Sequence, residues 1–169
     1  MNITEVFLAQ LDDEVMRTRR TLEKVPEGKD DWKPHDKSMP LGRLAGLVAQ
    51  MPMWFALIVN QDALDLNPPG GGKFEQKPMR TPAELGKALD EGAAQGRKAL
   101  EGTNEEHLQK PWKLMVSGNV VSEQPRHVVI RDTFSHLAHH RAQLGVYLRL
   151  NDVPLPSTYG PSADDRMGF

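Results

Sequence analysis

Apolar residues recur every three or four positions along four stretches of the chain, and each stretch predicts an amphipathic helix with one buried face. The first runs from about Thr4 to Val25, with Phe7, Leu8, Leu11, Val15 and Leu22 on a common face and Asn2 or Thr4 placed to cap it. The second starts after Ser38, with Pro40 in its first turn, and carries Leu41, Leu44, Leu47, Val48, Met51, Phe55, Ile58 and Val59 to about Leu64. Pro52 lies inside that run. A proline there removes a backbone donor and crowds the preceding turn, at a cost of about 3 kcal/mol, so the helix kinks or divides. The third helix opens on Thr81-Pro82-Ala83-Glu84, a capping box with proline at the first helical position, and continues through Leu85, Leu89 and Leu100. The fourth follows Pro125 and reaches Leu150, where Asn151-Asp152-Val153-Pro154 ends it.

The connections set the architecture. Between the second and third helices lie roughly 15 residues, Leu66 to Arg80, more than adjacent antiparallel helices need and better suited to a crossover. A second long connection, Gly102 to Pro125, holds Trp112 to Val116, then Ser117-Gly118-Asn119, then Val120-Val121, which predicts two short strands in a hairpin. The expected fold is all-α: one domain over residues 1–169, a four-helix bundle with long crossings, wound up, down, down, up, with a small β-hairpin between helices three and four. Up-down-up-down winding stays open on length alone.

Composition narrows the function. The net charge of -2 and pI near 6.3 provide no basic face, so nucleic acid is not an expected partner. No stretch approaches 18 uninterrupted apolar residues, and the first residues lack a basic region followed by an apolar run, so no membrane and a cytoplasmic location are expected. Without cysteine, any metal must be held by nitrogen and oxygen ligands.

Such ligands stand in the fourth helix. His136 and His140 are four residues apart, about 40° on the wheel, and can converge on one metal ion. Val129, Gln143 and Tyr147 share their sector, and Leu137, Leu144 and Leu148 fill the next, which places the histidines at the edge of the core face. A histidine pair satisfied by hydrogen bonds fits the same spacing. Asp132, one turn before His136, suits either a ligand or an acceptor for its ring, and Gln50 is a further oxygen donor. His139 points about 60° to the other side of His136. His35 and His107 fall in predicted loops, and His127 starts the fourth helix too far along the axis to share the ion.

Other features carry less chemistry. Trp54, Phe55, Trp112 and Tyr147 suit core packing more than a ligand pocket. Gly70-Gly71-Gly72 lacks the strand, spacing and lysine of a phosphate loop. Asp12, Asp13, Glu14, Glu105 and Glu106 read as solvated charge. The polar segment from Tyr159 to Asp165 is expected to fold back and close one end of the bundle.

The runs LGRLAGLVAQMPMW, FSHLAHHRAQLGVYLRL and VPLPSTYGPSADD, with Trp32, Pro34 and Ser38 ahead of the second helix, together resemble the DinB-like superfamily over nearly the whole chain. The resemblance implies a homodimeric four-helix bundle holding a divalent metal with one histidine from the second helix and two from the fourth. The latter two correspond to His136 and His140. The helix-two ligand falls at Leu47, which cannot coordinate, so the implied metal site is degenerate and zinc or nickel is expected to be held weakly or not at all. Two functions follow from this resemblance. One is a repurposed, non-catalytic bundle that binds a small molecule or serves in stress. The other is a divalent-metal-dependent enzyme similar to low-molecular-weight thiol S-transferases or mycothiol-dependent isomerase.

Overall fold

A computed structural model of the chain describes residues 2–71 and 78–166. The middle of the connection predicted between helices two and three, with Gly72 of the glycine run, lies outside the described residues.

Helix α1 spans Ile3–Leu22, and the capping box that opens it uses Asn2, whose side chain accepts from the Glu5 amide while Glu5 reaches back. The run predicted from Ser38 to Leu64 is divided: α2 covers Leu41–Gln50, a 3-10 turn covers Met51–Met53, and α3 covers Trp54–Asn60. Pro52 sits in that turn, as its missing donor requires. Leu41–Asn60 is long and apolar enough to cross a membrane, yet 61% of it is buried within the molecule, so it is a core element here. Helix α4, Pro82–Glu101, begins with the Thr81–Glu84 capping box. Helix α6, Arg126–Leu150, has the predicted limits.

Helix α4 packs on α1, α2, the 3-10 turn and α3, and α6 packs on α1, α2 and α3. Two buried clusters result. One gathers Leu41, Leu44, Val48, Leu85, Leu89, Leu137 and Leu144; the other gathers Phe7, Leu11, Phe55, Ile58, Leu100, Ile130 and Phe134. The divided helix fits because α4 presents Gly92 and Gly96 to it: a Cβ on Gly96 would stand 2.6 Å from the Pro52 carbonyl oxygen, and one on Gly92 3.0 Å from the Met53 nitrogen. Gly96→Ala is therefore expected to lower stability by about 1–3 kcal/mol despite alanine's better helix propensity, read from the urea midpoint, because backbone blocks the new methyl.

Three departures from the sequence reading lie beyond the carboxyl ends of α3 and α4. The second helix stops at Asn60 rather than Leu64, and Ala63–Asp65 forms strand β1, parallel to Lys113–Met115. The cause is Arg126, fully buried, whose guanidinium donates to the carbonyls of Gln61 at 3.0 Å and Pro111 at 2.7 Å and pairs with Asp62, drawing the chain away from the helix axis. The predicted hairpin is present as β2, Pro111–Val116, and β3, Asn119–Pro125, so the all-α expectation becomes a mostly helical fold with a three-stranded sheet, order β1-β2-β3. A short helix α5, Glu105–Gln109, capped by Asn104, replaces the predicted loop around His107.

The hairpin turn puts Ser117 and Gly118 at φ 52° and 79°, the positive values of a tight two-residue loop. Asp65 holds it, accepting from the amides of Ser117 at 3.0 Å, Gly118 at 2.7 Å and Asn67 at 2.9 Å. The Asn67 amide, whose effect exceeds the opposing desolvation, and then the amides of Gly118 and Ser117 keep the Asp65 carboxyl below its ordinary range. A depressed carboxyl contributes stability that is present above its unfolded value and lost as pH falls through the folded one. Turn-amide protection in hydrogen exchange is expected to fade in that acid window in the parent and to be absent throughout in Asp65→Ala.

Candidate functional site: a paired imidazole on helix α6

The apolar stripe of α6, Ile130, Phe134, Leu137, Leu144 and Leu148, anchors the helix in both core clusters and leaves His136 and His140 at its edge. The two rings do meet. Their Nε2 atoms are 2.8 Å apart and their centroids 4.6 Å apart. Gln143 Oε1 lies 2.8 Å from His140 Nδ1. With that oxygen accepting from Nδ1–H, His140 Nε2 is an acceptor and His136 donates to it from Nε2–H. Trp54, the first residue after the 3-10 turn, places its ring 5.6 Å from His136. Desolvation, followed by the neighbouring His140 and His139, lowers the His136 pKa.

As it stands, the pair is joined by a hydrogen bond. Two nitrogens bound to one tetrahedral ion with bonds near 2.05 Å stand about 3.3 Å apart, farther than this hydrogen-bonded pair. Among the described residues no group of three His, Asp or Glu side chains is placed to hold a metal ion. Leu47 is half-buried and packs on the cluster that includes Leu137 and Leu144. Asp132 is exposed and taken by Arg131, which donates from Nε at 3.0 Å and Nη2 at 2.9 Å. Gln50 is half-buried at the end of α2. His139 sets its ring edge-on to His140 at 5.0 Å. His107 and His127 bond instead to the carbonyls of Val59 and Leu108. Of the aromatics, Phe55 and Trp112 are buried, while Tyr147 meets Trp32 edge-on at 5.5 Å.

A second polar cluster lies on the α1 side of α6, and it corrects the reading of Glu14 as solvated charge. Glu14 is 1% exposed and Arg141 3%; the guanidinium meets the carboxylate at 2.7 Å and donates to Thr18 Oγ1 at 3.0 Å. The Tyr159 hydroxyl donates to the same carboxylate at 2.9 Å and accepts from Arg141 at 2.7 Å, so the tail does fold back onto α1 and α6. Ser157 and Arg20 bind Asp165, and Arg149 binds Asp164, fastening the rest of it. The signal was in the periodicity: Glu14 continues the buried face of Phe7, Leu11 and Thr18, and Arg141 stands between Leu137 and Leu144.

No protein-family model matches the sequence, and no curated protein matches it. Solved structures do. A DinB-like protein from Bacillus cereus aligns with a TM-score of 0.69 at 15% identity, covering 92% of this chain and 97% of its own. The DinB-like protein YjoA from Bacillus subtilis aligns with a TM-score of 0.63 at 18% identity, covering 95% of this chain and 99% of its own. Over nearly its whole length, then, this chain has the DinB-like fold.

Proposed function

We propose that this chain is a repurposed DinB-like protein: a four-helix bundle of α1, the divided α2–α3 run, α4 and α6, wound up, down, down, up, that no longer performs metal chemistry and serves as a small-molecule-binding or stress-associated homodimer in the cytoplasm. The observation carrying this reading is that the imidazoles of His136 and His140 satisfy each other at 2.8 Å while Leu47 stands where the resemblance puts a third ligand. Zinc or nickel, on this reading, reaches only two imidazoles and binds weakly or not at all.

The test is elemental mass spectrometry of the protein purified untagged and without chelator. Zinc and nickel well below one equivalent are expected, unchanged in His136→Ala and His140→Ala. Near-stoichiometric metal that either substitution removes would overturn the reading. It would favour the divalent-metal-dependent enzyme resembling thiol S-transferases or mycothiol-dependent isomerase. One observation supports that second reading: Gln143 holds His140 from Nδ1, the side from which metal-bound histidines are ordinarily oriented.

A further inference from the structure

At the carboxyl ends of α3 and α4, where the chain turns into α5, an open cleft of about 570 Å³ lies on different elements from the histidine pair. Its size falls in the range of small-ligand sites. The floor is apolar and shallow, formed by the buried side chains of Ala56, Val59 and Ala99.

The rim is polar and one-sided in charge. Lys98 is the one lysine or arginine on it; no carboxylate lines the cleft, and Lys98 has no ion-pair partner among the described residues. The acids closest in sequence are engaged elsewhere, Glu101 with Arg97 and Glu105 with the Ile3 amide. Asn104 spends its side-chain oxygen on the His107 amide at 2.9 Å, which leaves its NH2 group as a donor. His107 is fixed in place because its Nε2–H donates to the Val59 carbonyl at 2.8 Å, which leaves Nδ1 for a further bond. Asn60 and Gln95 add two exposed amides.

An ammonium without an ion-pair partner rejects a cation and attracts an anion, and an ammonium with an amide NH2 on the same rim suits the two oxygens of a carboxylate. The small floor residues leave room for a short apolar chain. We propose that this cleft binds a small aliphatic monocarboxylate, its carboxylate at Lys98 and Asn104 and its chain over Ala56, Val59 and Ala99. The site goes beyond the function proposed above and does not depend on the metal question.

The test follows backbone amide resonances of the full chain during titration with hexanoate and with hexanamide, its neutral analogue. Saturable shifts are expected at Val59, Asn60, Lys98, Asn104 and His107, with hexanoate binding about two- to fivefold tighter than hexanamide, the size an exposed ion pair supplies. Lys98→Gln should erase that preference and Lys98→Arg should keep it; Lys98 is exposed, so both variants are expected to fold. Shifts that do not saturate, that centre elsewhere, or that are equal for acid and amide would overturn the proposal. So would an undiminished preference in Lys98→Gln, which would leave the lysine as a counter-charge to the negative end of α4.

Discussion

Leu47→His is expected to convert this protein into a tight binder of zinc or nickel, with affinity at least about a hundredfold above that of the parent in calorimetric titration near neutral pH. Helix α2 packs directly on α6, and Leu47 contacts the core cluster containing Leu137, next to His136, and Leu144, one turn past His140. A third imidazole there gives the ion a reason to separate the paired rings by the fraction of an ångström that coordination requires. The neutral state of His136, favoured by its desolvation and by its histidine neighbours, helps, because only unprotonated imidazole coordinates. A parent that already binds as tightly as the variant would sink the repurposed reading, since two histidines would then have found their third ligand elsewhere. A thermal melt of Leu47→His separates a failure to bind from a failure to fold.

Arg141→Met should be the most damaging single substitution, lowering stability by about 3–5 kcal/mol, because it strips the buried Glu14 carboxylate of its closest guanidinium and leaves it only the more peripheral Arg17, at 3.2 Å, and the Tyr159 hydroxyl. For a chain of this size that is a fall of about 6–20 °C in Tm. The double variant Glu14→Leu, Arg141→Met should recover most of the loss, since two apolar side chains restore a satisfied interior. Tyr159→Phe removes the hydroxyl that joins the tail to this pair and should cost less, about 1–2 kcal/mol. A double variant as unstable as the single would show that the cost comes from lost packing and not from a stranded charge.

These two clusters differ in how far the sequence reveals them. The convergence of His136 and His140 follows from helical geometry alone, since residues four apart on α6 lean over the same turn. That they bond to each other, with Gln143 orienting one and Trp54 beside the other, does not, because it depends on how α3 meets α6. Glu14 and Arg141 each sit on an apolar face in the sequence, but a charged residue at such a position is either an error in the face or half of a pair. Which one holds is settled only by a partner 127 residues away.

The same division runs through the fold. Caps, helix limits at Pro82, Arg126 and Leu150, the break at Pro52 and the tight turn at Ser117-Gly118 were legible because each is a local effect of a proline, a capping side chain or a left-handed backbone position. The end of α3 at Asn60, strand β1 and helix α5 were not. Residues 61 to 64 read as a last helical turn because Leu64 falls seven positions after Leu57, and they leave the helix because a buried Arg126 collects the Gln61 carbonyl and the Asp62 carboxylate while β2 offers a free strand edge. By itself, then, the sequence determined where helices start and which faces they bury, since those depend on neighbours within a turn. Tertiary structure decided which buried charges find partners and where a favourable local preference is overruled, because the opposing groups arrive from distant parts of the chain.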